Sequence, residues 1–158
     1  MQIILFEPEI PPNTGNVARL CAGTNTELHL IKPLGFSLSD RYLKRAGLDY
    51  WEHVNLKVWD NFADYLEHTG KNKRIIGTSA RAGTALHKFE FQRDDALLFG
   101  PETRGLPAEI LNCLDHTIRI PIINNIRSLN LSTATGIVLY QAFICTGMLD
   151  EFENTSAT

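Results

Sequence analysis

Six short apolar runs alternate with segments of helical pattern along this chain, and that alternation restricts the fold more than any other feature. The runs are Ile3–Phe6, Leu28–Ile31, Leu56–Trp59, Arg74–Gly77, Ala96–Phe99 and Thr117–Ile120, most of them bounded by Pro or Gly. Short apolar runs without polar alternation suit strands covered on both faces. Helical patterns fall between them, at Thr14–Gly23, Ser39–Ala46, Asn61–His68, Pro107–Cys113 and Leu131–Leu149. Strands alternating with helices predict an α/β fold, a mainly parallel sheet between helices. With 158 residues, 44% of them hydrophobic, the chain can bury one core. A single domain is expected over 1–152, with a disordered tail over 153–158.

Several function classes are disfavoured at once. No apolar run is long enough to span a bilayer. Met1-Gln2-Ile3-Ile4-Leu5-Phe6 lacks a basic flank and stops at Glu7-Pro8, so it reads as a buried first strand and not a signal peptide. Cys21, Cys113 and Cys145 are odd in number and widely spaced, with no Cys-x-x-Cys. They are expected to be small apolar residues in a reducing compartment, which points to a cytoplasmic protein. His29, His53, His68, His87 and His116 show no metal-ligand spacing, so no metal is expected. The absence of Gly-x-Gly-x-x-Gly and of a P-loop argues against nicotinamide cofactors and against the commoner Rossmann methyltransferases.

The last helical segment is apolar nearly all round. Leu131, Val138, Ala142, Cys145 and Leu149 form one stripe, and Ile137, Tyr140, Phe143 and Ile144 cover most of the remaining circumference. Such a helix is buried on several sides, either within the monomer or against a second subunit.

Three polar segments are the candidates for chemistry, each placed where an apolar element ends or begins. The first is Asn13-Thr14-Gly15-Asn16-Val17-Ala18-Arg19, after Pro11-Pro12. Asn13 or Thr14 can cap a helix whose apolar face is Val17, Leu20 and Cys21. Asn16 and Arg19, three apart, present an amide and a guanidinium on another face; by themselves they read as a surface Asn beside a phosphate-binding or salt-bridging Arg. The second is Phe99-Gly100-Pro101-Glu102-Thr103-Arg104-Gly105-Leu106-Pro107. Gly100 allows close approach to the backbone, Pro107 can open a helix, and Glu102 can organise the loop by accepting amide hydrogen bonds. The third runs from Ile120-Pro121 to Arg127-Ser128-Leu129-Asn130-Leu131-Ser132. Here Ser128 or Asn130 can cap the long helix, and the loop backbone can clasp a purine.

In this order the three segments resemble the motifs of the SPOUT methyltransferases, trefoil-knotted enzymes that use S-adenosylmethionine. The likeness runs from the first strand to the last helix. Among these enzymes it is nearest to the small ribose 2′-O-methyltransferases of the tRNA wobble nucleotide. The resemblance implies a deep C-terminal trefoil knot, which topology rules would not predict, and a homodimer built on the first and last helices. It implies Arg19 as the catalytic residue, with Asn16 as its companion. It implies a cofactor pocket of Thr78, Gly100, Ile120, Ser128, Leu129 and Asn130, with Glu102 beside it. Arg45-Ala46-Gly47-Leu48-Asp49-Tyr50-Trp51 resembles a segment of the wobble subgroup and implies substrate contacts by Arg45, Tyr50 and Trp51, with Tyr140 as another. Core packing is the competing expectation for Tyr50, Trp51 and Tyr140.

The implied reaction is methyl transfer from S-adenosylmethionine to the ribose 2′-hydroxyl of a wobble C or U in tRNA. The net charge of −3 sits awkwardly with an RNA substrate, but a local patch is enough. Lys32, Arg41, Lys44 and Arg45 make one candidate; Lys71, Lys73, Arg74, Arg81 and Lys88 make another. A ribosomal RNA 2′-O-methyltransferase and a non-catalytic knotted RNA-binding dimer are the alternatives.

Overall fold

The computed structural model describes residues 1–39, 41, 43 and 50–156. Its strands are β1 (Gln2–Phe6), β2 (Glu27–Ile31), β3 (Leu56–Trp59), β4 (Ile75–Thr78), β5 (Thr84–Ala85), β6 (Ala96–Phe99) and β7 (His116–Arg119). They form one sheet in the order β3-β2-β1-β6-β4-β7-β5, and every neighbouring pair is parallel. The helices are α1 (Pro11–Thr24), α2 (Phe62–His68), α3 (Ala108–Asn112), α4 (Leu131–Thr146) and α5 (Leu149–Ser156).

Alternate residues of the strands feed two separate cores, which is why the runs read as continuously apolar. Ile3, Leu5, Leu28, Leu30, Leu97 and Phe99 pack against Val17, Ala18 and Cys21 of α1 and Val138, Leu139, Ala142 and Phe143 of α4. On the opposite face Ile4, Phe6, Ile31 and Leu98 meet Phe62 and Tyr65 of α2, with Leu106 and partly buried residues of α3. The two late strands are laid between earlier ones: β6 lies between β1 and β4, and β7 between β4 and β5. This order gathers the loops that follow β4, β6 and β7 at one end of the sheet.

Differences from the sequence expectation occur at element ends. Helix α1 begins at Pro11, not Thr14, with the prolines at its first two positions and Ile10 as an N-cap without a side-chain bond. Prolines are tolerated there because the first helical N–H groups have no intrahelical acceptor to lose. Helix α4 ends at Thr146. Gly147 turns left-handed (φ 69°) and its N–H bonds back to Ile144 and Phe143, the familiar glycine stop. Leu149 therefore opens a further helix, α5, which continues to Ser156 where a disordered tail was expected. The two-residue β5 was too short to leave a periodic signal. The helix expected at 39–46 lies mostly outside the described residues.

All three cysteines are free. Only Cys21 matches the expectation of a small buried residue, and burial pushes its thiol up to about 12; Cys113 and Cys145 are exposed. His29 is fully buried. Its Nδ1 accepts from Trp59 Nε1 at 3.0 Å, which leaves Nε2 to donate to Glu27 at 3.2 Å. Burial lowers its pKa, so it stays a neutral structural residue. Among the described residues no cluster of His, Cys, Asp or Glu is arranged to hold a metal ion.

Candidate active site

Beyond the carboxyl ends of β4, β6 and β7 the loops enclose a cleft of about 650 Å³, the position where open parallel sheets generally bind ligands. Its walls come from 78–81, 99–106 and 118–131, with Ile10 and Asn13 closing the side at the entry to α1. All seven residues expected at the cofactor are here: Thr78, Gly100, Glu102, Ile120, Ser128, Leu129 and Asn130. They are up to 52 positions apart in sequence (130 − 78), and the strand order alone brings them together.

A carboxylate ties the walls to one another. Glu102 accepts from the Glu9 N–H at 2.8 Å, the Ile10 N–H at 3.1 Å and Asn13 Nδ2 at 3.1 Å. A negative group at the amino end of α1 is also favoured by the helix dipole. Asn13 then passes the connection on: its Oδ1 accepts from Asn130 Nδ2 at 2.9 Å. Asn130 in turn caps α4, its Oδ1 accepting from the Ser132 N–H at 2.9 Å and the Thr133 N–H at 3.3 Å. One hydrogen-bonded chain thus joins the three polar segments. Glu9 completes a reciprocal clamp, accepting from the Thr103 N–H at 3.0 Å and from Thr103 Oγ1 at 2.8 and 2.9 Å. Arg104 pairs with Glu7 and lies 3.5 Å from Glu9.

Gly100 has a different reason from the one the sequence suggested. A Cβ there would lie 2.2 Å from the Leu106 backbone nitrogen and 2.4 Å from the Gly105 carbonyl carbon. The absent side chain allows the loop to fold back on itself; Gly105 makes the return, with φ +69° and its N–H bonded to Pro101 O at 2.9 Å. Thr78 spends its hydroxyl on Leu98 O at 3.0 Å, so it offers a ligand chiefly its methyl and its backbone.

The cleft suits S-adenosylmethionine. Leu106, Ile118, Ile120, Leu129 and Val138 give an apolar lining for a purine, and exposed Ser128 and the 120–130 backbone supply polar groups. The cleft also holds three arginines. Arg104 is neutralised by Glu7 and Glu9, whereas the exposed guanidiniums of Arg81 and Arg127 have no side-chain partner among the described residues.

The residues expected at the reaction and the substrate lie elsewhere. Asn16 and Arg19 are both exposed on α1 and outside the lining of the cleft. Arg19 Nη2 donates to Tyr50 Oη at 3.1 Å, and its guanidinium lies 4.7 Å from the centre of the Tyr50 ring. Trp51 packs partly buried on the core beside α1, with its indole N–H enclosed. Tyr140 is 44% exposed on α4, edge-on to Phe143. Arg45 lies outside the described residues. Of the two basic patches, Lys32 is paired with Asp60 and Arg74 with the buried Asp95. Glu9, Asn13, Thr103 and Arg104 were not recognised as site residues. Asn13 stood in the first segment but was read only as a helix cap, and partners 94 positions apart leave no spacing signal.

Two expected outcomes test the clamp. Glu102→Gln replaces an acceptor oxygen with an NH₂ that faces other donors; losing a charged acceptor and orphaning a donor should cost about 2 kcal/mol of stability and weaken S-adenosylmethionine at least about tenfold, by urea unfolding and calorimetric titration. The second concerns pH. The Thr103 side chain and N–H, with Arg104 beside them, hold the Glu9 carboxyl below the ordinary 4.5. Its contribution is fully present above 4.5 and is lost as pH falls through the lower folded-state value. Thr103→Val should therefore lower the melting temperature near neutral pH, and its gap to the wild type should narrow as pH falls below 4.5, read from melting temperatures across an acid pH series.

The model of the SpoU rRNA methylase family matches residues 1–140. A tRNA (cytidine(34)-2′-O)-methyltransferase of Methylovorus glucosotrophus is 48% identical over 143 residues, 89% of this chain and 92% of that protein. A solved structure described as giving insight into 2′-OH methylation of C/U34 on tRNA superposes with a TM-score of 0.88 at 49% identity, covering 91% of this chain and 94% of that one. An rRNA methyltransferase from Sinorhizobium meliloti with S-adenosylmethionine bound shares the fold, with a TM-score of 0.82 at 22% identity over 90% of this chain and 55% of its own. On a match spanning most of its length, and on likeness at nearly half identity, this chain belongs to the SpoU methylase family.

Proposed function

We propose that this protein transfers a methyl group from S-adenosylmethionine to the ribose 2′-hydroxyl of a wobble C or U in tRNA. One observation carries the reading: the second and third segments line one cleft, which the first segment meets through Asn13, in a chain nearly half identical to enzymes named for that reaction.

The cofactor supplies a methyl group already activated on a sulfonium. The chain's own residues bind and orient. The loops at 99–106 and 118–131 hold the cofactor and exclude water from it. Gly100 and Glu102 act by fixing loop shape, while Thr78, Ile120, Ser128, Leu129 and Asn130 form the contact surface. Aligning the reacting groups can account for about 7–11 kcal/mol of barrier in well-oriented reactions. Arg19 is the catalytic residue and Asn16 its companion. A guanidinium stays protonated, so Arg19 orients the ribose and steadies developing oxyanion charge, and a substrate phosphate or water takes the proton.

The working unit in this reading is a homodimer. Ile137, Tyr140 and Ile144 leave an apolar face of α4 exposed at 40%, 44% and 62%, next to α1, on which α4 packs. A second copy covers that face and brings the exposed Arg19 into a composite site. The trefoil knot belongs to the same reading, supported by the placement of β7 between two earlier strands. Among the described residues no helix is long and apolar enough to cross a membrane, in keeping with a cytoplasmic enzyme on tRNA. Arg81 and Arg127 are the RNA-facing cations, and the substrate-contact role that the resemblance implies for Arg45 and Tyr140 belongs to the same reading.

Transfer of label from S-adenosylmethionine to unmodified and native tRNA pools, followed by nuclease mapping, tests the reaction. Label should appear on a wobble ribose, and Arg19→Ala should lower the rate by about 10²–10³. Label on ribosomal RNA alone would move the substrate to the alternative class. Cofactor binding without transfer to either RNA would mark a non-catalytic RNA-binding dimer. Arg81→Ala and Arg127→Ala should each reduce the slope of log affinity for tRNA against log salt by about 1.

A further inference from the structure

An exposed arginine on a helix has a long stem, and its planar fork helps a reaction only when held in one orientation. Arg19 is such a residue, and one side chain meets it in two ways. Tyr50 accepts a hydrogen bond from Arg19 Nη2 at 3.1 Å, and the guanidinium carbon lies 4.7 Å from the centre of its ring. The phenol oxygen fixes one N–H of the fork, the ring backs its face by cation–π attraction, and the remaining N–H groups are left free to donate.

Tyr50 is itself held. It is the N-cap of a 3₁₀ turn, Trp51–His53, and its carbonyl accepts from the His53 N–H at 2.9 Å. Trp51, the next residue, packs on the same core as Val17, Ala18 and Cys21 of α1. The turn and the helix carrying Arg19 therefore share a hydrophobic footing. The Tyr50 ring offers the guanidinium a face that a stacked nucleotide base would otherwise need.

We propose that Tyr50 is a positioning residue for Arg19: it presets the guanidinium toward the ribose 2′-oxygen and does not read the nucleotide. The proposal rests on the methyl-transfer reading above and assigns that site a residue acting through Arg19. Trp51 is the anchor that places Tyr50.

The test combines kinetics and relaxation on the full chain. With tRNA as substrate, Tyr50→Leu should lower kcat about tenfold, the scale of one hydrogen bond plus one cation–π contact. The KM for tRNA and the Kd for S-adenosylmethionine should stay within about twofold. Tyr50→Phe keeps the ring and should recover most of the rate. In an Arg19→Ala background Tyr50→Leu should cost nothing further, since a residue acting only through Arg19 has nothing left to act on. A raised KM with unchanged kcat, or additive losses in the double variant, would overturn the proposal in favour of direct substrate contact. A second readout needs no RNA: the ¹⁵N heteronuclear NOE of the Arg19 Nε–Hε group should be high in the wild type and fall in Tyr50→Leu. An unchanged NOE would overturn the proposal whatever the kinetics. Wild-type protein that labels no tRNA would instead sink the methyl-transfer reading, with the NOE still deciding whether Tyr50 orders Arg19.

Discussion

The Glu102 carboxylate is the point on which the site depends. Its two oxygens take three donors from the stretch that leads into α1, and through Asn13 they reach the cap of α4. The loops so joined come from β1, β6 and β7, whose order in the sheet brings them close but does not fix their separation. A glutamate can accept several bonds at once, and a charged acceptor makes each of them stronger than a neutral one would. Glu9 returns the arrangement by holding Thr103, so neither loop can shift without breaking bonds on both.

That clamp explains why the cleft can be built from loops and still be a defined surface. Gly100 permits the tight return at Gly105–Leu106, and the carboxylate in the same loop stitches it to α1. Arg104, which as a free cation would alter the field of the cleft, is absorbed by Glu7 and Glu9. The positive charge left facing outward belongs to Arg81 and Arg127, among the described residues of the lining. An acidic chain thus keeps local cationic ground at its site, and it is the local potential, not the net charge, that a phosphate backbone meets.

How far the sequence carried the reading depends on the range of the interaction. Strand Leu56–Trp59 and the helix starting beside Asn61, whose side chain accepts from the Asp64 N–H at 2.9 Å, are settled by neighbours a few residues away and were legible. The start of α1 was placed at Thr14, three residues late, although Pro11 and Pro12 fit the first helical turn. Gly147, which ends α4, was not given weight as a left-handed cap, so α5 was missed. The residues that line the cleft were named from the resemblance, not from spacing: Thr78 and Asn130 share a cleft only because β4 and β7 are paired.

By itself the sequence determined the alternation of buried strands and helices, the parallel sheet and the three polar segments at the ends of apolar elements. Those follow from local patterning, since a residue's tendency to be buried or to turn the chain is written within a few positions of it. Tertiary structure alone decided that Glu102, Asn13 and Asn130 form one hydrogen-bonded chain, that Tyr50 lies against Arg19, and that, among the described residues, Arg81 and Arg127 are the uncommitted cations of the cleft. Each of these depends on which distant segments the strand order makes adjacent, and a hydrogen bond or an ion pair is fixed by distance in space, to which distance along the chain is no guide.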